Sequence, residues 1–159
     1  MPRRSRRLCG ALAFLALSTG GCYFYARDTT GDPDGVFVAR EYAFNGPKEF
    51  RTKGVPGSPH AKPVLGLRNK GSVPHELRAV WVGDLPAGDR RQLRADLSDG
   101  VAVPEELVRS GGVSAVAPGK EAASTQLLSA GRYLLICLLT TPAGRTHAQL
   151  GMVKEVKVL

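Results

Sequence analysis

Residues 131–159 read GRYLLICLLTTPAGRTHAQLGMVKEVKVL, and this closing stretch decides the fold. RYLLIC alternates so that Tyr133, Leu135 and Cys137 share one face, and the run is apolar on the other face too. That is the pattern of a central strand covered on both sides. MVKEVKVL puts Met152, Val156 and Val158 on one parity and Glu155 and Lys157 on the other, which predicts a strand with one wet face. Cys137 therefore ends one strand and Met152 begins the next, with a connection that carries His147 between them.

Working outward, earlier segments repeat the β signature. Residues 36–44 (VFVAREYAF) and 62–71 (KPVLGLRNKG) read as strands, and GPKEFRTKG allows a short one. In HELRAVWV, residues 75–82, His75, Leu77, Ala79 and Trp81 share one face, while Glu76 and Arg78 point the other way. His75 thus heads an inward-facing column. The β pattern returns from Gly119 with EAASTQLLS and a turn at Ala130-Gly131. Residues 83–112 are polar and broken by Pro and Gly. Within them, Arg90 to Leu97 and Pro104 to Ser110 suit short helices, the second with Pro at its start and Gly after it. Nineteen Gly and eleven Pro fit a turn-rich, all-β chain. The expected architecture is a β-sandwich with a short, partly helical excursion around residues 83–112.

The chain starts differently. Residues 1–22 (MPRRSRRLCGALAFLALSTGGC) give a basic start, an apolar run from Leu8 to Leu17, then small residues. This is a secretory signal. Its end at Cys22 resembles a bacterial lipoprotein signal, which implies lipidation of Cys22 and a membrane anchor, although Thr19 stands where an aliphatic residue is usual. SRRL, from Ser5, weakly resembles a twin-arginine signal. Cleavage nearby without lipidation is the alternative. Residues 23–35 then read as a tether and 36–159 as one domain. An exported location follows, on the outer face of a bacterial membrane or in the periplasm or extracellular space.

The net charge of +8 includes four from Arg3, Arg4, Arg6 and Arg7; the remaining +4 is scattered. Without a basic block interleaved with aromatics, no nucleic-acid partner is expected. There is no phosphate loop, nucleophile elbow or His-Glu-x-x-His run, so no enzyme activity is expected either. Glu105 and Glu106 read as a charged helix face.

Of the three cysteines, Cys9 lies in the signal and Cys22 at its end, so Cys137 is alone in the domain and no internal disulfide forms. Singly, Cys137, His75, His147 and Met152 each have an ordinary structural explanation: a buried thiol, a surface imidazole, a core methionine. Together they differ. Nine residues separate Cys137 from His147, and four separate His147 from Met152. Strand ends bring these donors to one end of a sandwich, where His75 also begins its strand. Two imidazoles, one thiolate and a weak thioether form the blue-copper set, whereas structural zinc usually takes a closed Cys/His tetrahedron. His60, between Pro59 and Pro63, reads as a loop residue.

RNKGSVPHEL, GRYLLIC and the Cys…His…Gly-Met run before a terminal strand resemble the cupredoxins, the plastocyanin and azurin group. The resemblance covers roughly residues 36–159. It implies a Greek-key β-sandwich holding one type 1 copper, with His75, Cys137 and His147 equatorial and Met152 axial. It also implies a monomeric electron carrier between redox partner proteins. The chain departs from that pattern in the long polar loop TTPAGRT and in lacking a Gly shortly after Met152. Three alternatives stand beside it: a copper-delivery lipoprotein that shuttles no electrons, a metal-free interaction module, and zinc in the same site.

Overall fold

The computed structural model describes residues 32–52, 63–83, 85–103, 111–126 and 128–159. Nine strands are found among them: β1 (Gly35–Arg40), β2 (Ala43–Asn45), β3 (Glu49–Phe50), β4 (Val64–Asn69), β5 (His75–Trp81), β6 (Gly112–Val116), β7 (Glu121–Thr125), β8 (Gly131–Ile136) and β9 (Val153–Val158). One helix, α1 (Ala87–Asp99), follows β5. The strands form two mixed sheets, ordered β2-β1-β4-β7 and β3-β9-β8-β5-β6. The β1/β4 and β3/β9 pairings are parallel, and the other pairings are antiparallel.

Alternation builds the main core. In β1, Phe37 and Ala39 are buried while their neighbours are not. β4 adds Leu65 and Leu67; β5 adds Leu77 and Ala79; β8 adds Tyr133, Leu135 and, just past its end, Cys137. These side chains fill the space between the sheets, as inner faces of a sandwich do. No helix among the described residues is long and apolar enough to cross a membrane.

The second sheet is covered on its outer face as well. α1 lays Leu97 and Leu93 against Val80, Val82, Leu134, Ile136 and Val153. This explains why β8 is apolar on both faces. α1 ends on Gly100, whose φ of 88° is left-handed and whose N–H donates to the carbonyl of Leu97, a cap that glycine allows at little cost. Arg94 fixes the helix to the sheet by donating to the carbonyl of Val153 at 3.0 Å. The expected helix over Arg90 to Leu97 is thus present and longer. The segment Pro104–Ser110, residues 1–31 including Cys22, and His60 lie outside the described residues.

The structure corrects three sequence expectations. Residues 36–44 are not one strand: Glu41 takes a φ of 44°, and β2 folds back so that Arg40 pairs with Ala43. The β pattern returns at residue 112 and not first at Gly119, because Gly112–Val116 is a strand; its small residues carry little β signal and it is held by pairing with β5. Glu76, on the face turned away from the inward column, is nonetheless buried. It is 7% exposed, where the β5/β6 register shifts between His75 and Leu77.

Candidate metal centre

The sandwich has one end where β4 finishes, β5 starts, β8 finishes and β9 starts. His75 is the first residue of β5, and Cys137 follows the last residue of β8. Both are 0% exposed, and His147 is 3% exposed. The Nδ1 atoms of His75 and His147 lie 3.1 Å apart, and the Cys137 Sγ lies 3.3 Å from the His147 Nδ1. One ligand atom from each of the three residues falls within 4.8 Å of the others.

The long connection between β8 and β9 is a built object. Thr140 and Thr146 form a β-bridge, and Thr141 N–H donates to the carbonyl of Arg145. Gly144, at φ 79°, closes the tip with its N–H on the Thr141 carbonyl. Thr146 and Gln149 then exchange hydrogen bonds reciprocally: Gln149 N–H donates to Thr146 Oγ1 at 3.2 Å, and Thr146 N–H donates to Gln149 Oε1 at 2.7 Å. This is the pattern of a capping box. It starts the 3-10 turn Ala148–Leu150 and fixes His147 at its head. His147 N–H donates to Leu139, and Ala148 N–H to Cys137, so the turn is stitched back onto the end of β8. Gly151 reverses the chain with φ 103°, and Met152 N–H donates to the carbonyl of His147 at 2.9 Å. Met152 is 0% exposed and belongs to the same buried cluster as Cys137.

Asn69, fully buried, ties the neighbouring loops together. Its amide donates to the carbonyls of Val73 and Val116, both at 2.8 Å, and its Oδ1 accepts from Gly71 N–H. Gly71 must be small: a Cβ there would stand 2.8 Å from His75 Nε2 and 2.9 Å from the backbone nitrogen of Glu41. The Glu41 turn sends Tyr42 onto the site, where its ring meets the His147 ring edge-on at 5.1 Å. Partly buried Tyr42 thus links His147 to the surface.

Electrostatics sharpens what these atoms can hold. Burial pushes the Cys137 thiol up to about 11; the hydrogen bonds from Glu76 and Leu139 oppose this, the Glu76 charge adds to it and Arg78 subtracts. Burial, reinforced by His147, pulls His75 down to about 4, against a smaller opposing pull from Glu41. His147 is also lowered by burial, with Glu76 opposing. At neutral pH the group is therefore two neutral imidazoles and a thiol: donors with free lone pairs and no charge of their own. His75 Nε2, on the Gly71 side of the ring, is buried with no hydrogen-bond partner among the described residues, while Nδ1 faces the other donors. His147 Nδ1 faces His75 Nδ1 and Cys137 Sγ at once, with the donor in each contact set by the ring tautomers. Donor atoms sharing one small ion through bonds of about 2.0–2.3 Å lie roughly this far apart. Two imidazoles, one thiolate and a nearby thioether make a soft, borderline set that fits one type 1 copper.

The two mixed sheets and donors at their open end match the architecture implied by the sequence. The fold is cupredoxin-like. Among solved structures, the chain is similar to the dithionite-reduced auracyanin of Roseiflexus castenholzii, at 20% identity over 78% of this chain and 94% of that one, with a TM-score of 0.45. It is similar to auracyanin A, a "blue" copper protein from Chloroflexus aurantiacus, at 17% identity over 78% and 96%, with a TM-score of 0.44. It is also similar to a purple cupredoxin from Nitrosopumilus maritimus, at 14% identity over 79% and 100%, with a TM-score of 0.41. No protein-family model and no curated protein matches the chain.

Sequence reading missed two contributors. Strand parity puts Glu76 on the face away from His75 and names no role for it, yet its N–H donates to Cys137 Sγ at 3.4 Å. The Thr146/Gln149 exchange was missed although its signature, Thr-x-x-Gln around His147, is legible.

Proposed function

We propose that this chain is a blue copper protein that carries single electrons between redox partner proteins. His75, Cys137, His147 and Met152 are the residues that would hold the copper. The observation that carries this reading is the convergence of three buried donors, from distant parts of the chain, to within 4.8 Å at one end of a rigid sandwich. Bound copper supplies a one-electron Cu(I)/Cu(II) couple there.

The chain's own residues supply the rest. The imidazoles present neutral nitrogens, and the thiol gives up its proton on binding. Glu76 N–H places a donor on the sulfur, and the stitched loop holds His147 and Met152 where they are. Leu77, Leu135 and the core around them exclude water. A site held this firmly has little room to rearrange when its charge changes, which favours fast electron exchange. The partly buried Tyr42 ring lies edge-on against His147, an imidazole that is itself nearly covered.

We also propose that the protein works outside the cytoplasm, tethered through a lipidated Cys22. The basic-apolar-small pattern of residues 1–22 supports this.

Cyclic voltammetry of the copper-loaded chain tests the function. A reversible one-electron couple with fast exchange is expected. Poor reversibility, with ready loss of copper to a competing chelator, would favour copper delivery instead.

A further inference from the structure

Glu76 is the one carboxylate among the described residues that is buried, and it contacts both Cys137 and the peptide that follows it. Its backbone N–H donates to Cys137 Sγ at 3.4 Å. Its Oε1 accepts the N–H of Leu138, the residue after Cys137, at 3.1 Å. The same oxygen accepts from Arg78 Nε, also at 3.1 Å. One residue of β5 therefore holds the sulfur and the next peptide of the β8 exit together. A carboxylate is a costly choice for this, since a buried charge must be compensated, and a neutral amide oxygen accepts the Leu138 N–H equally well.

We propose that Glu76 is a positioning residue that clamps the Cys137 end of β8 and, with Arg78, sets the reduction potential of the centre. The second half rests on the copper reading above. The physical argument is Coulombic. A negative charge held beside the thiolate in a partly desolvated setting disfavours adding an electron to the centre, so it lowers the potential. Arg78 opposes it, but its side chain is 48% exposed, so solvent screens it more than it screens Glu76 at 10%. The carboxylate therefore dominates the pair as seen by the site.

The two charges make opposite demands, which separates this account from a purely structural role. In the full chain, Glu76→Gln keeps an acceptor for Leu138 and removes the negative charge; the potential is expected to rise. Arg78→Gln leaves the carboxylate less compensated; the potential is expected to fall, by a smaller amount. General loosening of the site would move both variants in one direction. The clamp is read without copper, by amide hydrogen exchange at Leu138 in metal-free protein. Glu76→Ala is expected to speed that exchange on the order of tenfold, as loss of one such bond does, while Glu76→Gln holds it near the parent rate. Unchanged potentials, or shifts of the same sign in both Gln variants, would overturn the electrostatic role. Unchanged Leu138 exchange in Glu76→Ala would overturn the clamp. If Glu76→Ala does not fold, the sign comparison between the Gln variants still decides. If the parent chain takes up no copper, the function proposed above fails and the potential-setting role with it, while Leu138 exchange still judges the clamp.

Discussion

The Nδ1 atoms of His75 and His147 face each other across 3.1 Å although they are 72 positions apart in the chain. Both rings are buried and both are held below the ordinary histidine range, so neither donates as an imidazolium at neutral pH. The pair makes sense as two lone-pair donors aimed at one point, with the Cys137 sulfur 3.3 Å from the second of them.

Metal uptake should release one proton. With the imidazoles already neutral and the thiol pushed up to about 11, only Cys137 must deprotonate on binding near pH 7.5. Titrating Cu(I) into metal-free protein in weak buffer with a pH indicator should show about one proton per ion. Release near zero, or near two, would mean that the thiolate is not a ligand or that an imidazole is charged beforehand.

Without metal, folding stability should peak in a window around neutral pH. The folded pKa of His75 lies below its unfolded value of 6.5, at about 4. Its contribution is thus present above 6.5 and is lost as pH falls toward 4, because the unfolded chain binds the extra proton. Cys137 works in the other direction: its folded value of about 11 lies above the ordinary value of 9.0, so stability is lost as pH rises from 9 toward 11. Urea midpoints of the metal-free chain across pH 4–11 check both flanks. A flat profile below 6.5 would show that His75 is not buried as a neutral ring.

Asn69 should matter beyond its size. Its side chain makes three hydrogen bonds that join the β4–β5 loop to the end of β6. Asn69→Ala leaves the buried Val116 carbonyl without that donor and should destabilise the metal-free fold by about 2–4 kcal/mol. Asn69→Asp keeps the acceptor for Gly71 but sets a carboxylate oxygen against two carbonyls in a buried site, so it should destabilise at least as much as Asn69→Ala. Chemical denaturation measures both, and an Asn69→Ala variant as stable as the parent would contradict this tie.

Much of the fold was legible because burial and parity agree on most strands. Tyr133, Leu135 and Cys137 share a face as their spacing requires, and Met152, Val156 and Val158 do likewise. His75 at the head of β5 follows from the same alternation. What escaped was set by tertiary context. The β1–β2 hairpin turns on Glu41, a residue with no turn propensity of the glycine kind, in a left-handed conformation. β6 is small-residue sequence made into a strand by its neighbour. Glu76 is buried where the β5/β6 register slips, which parity cannot foresee. The loop before His147 is long and polar, and its threonines and Gln149 use that polarity internally, on one another and on the backbone.

The central claim is that Cys137 binds copper as a thiolate beside His75 and His147. The visible spectrum of the Cu(II)-loaded chain tests it most directly. The account predicts an intense thiolate-to-copper band that disappears in Cys137→Ser. A copper-loaded chain without that band, or a band that survives Cys137→Ser, would contradict it.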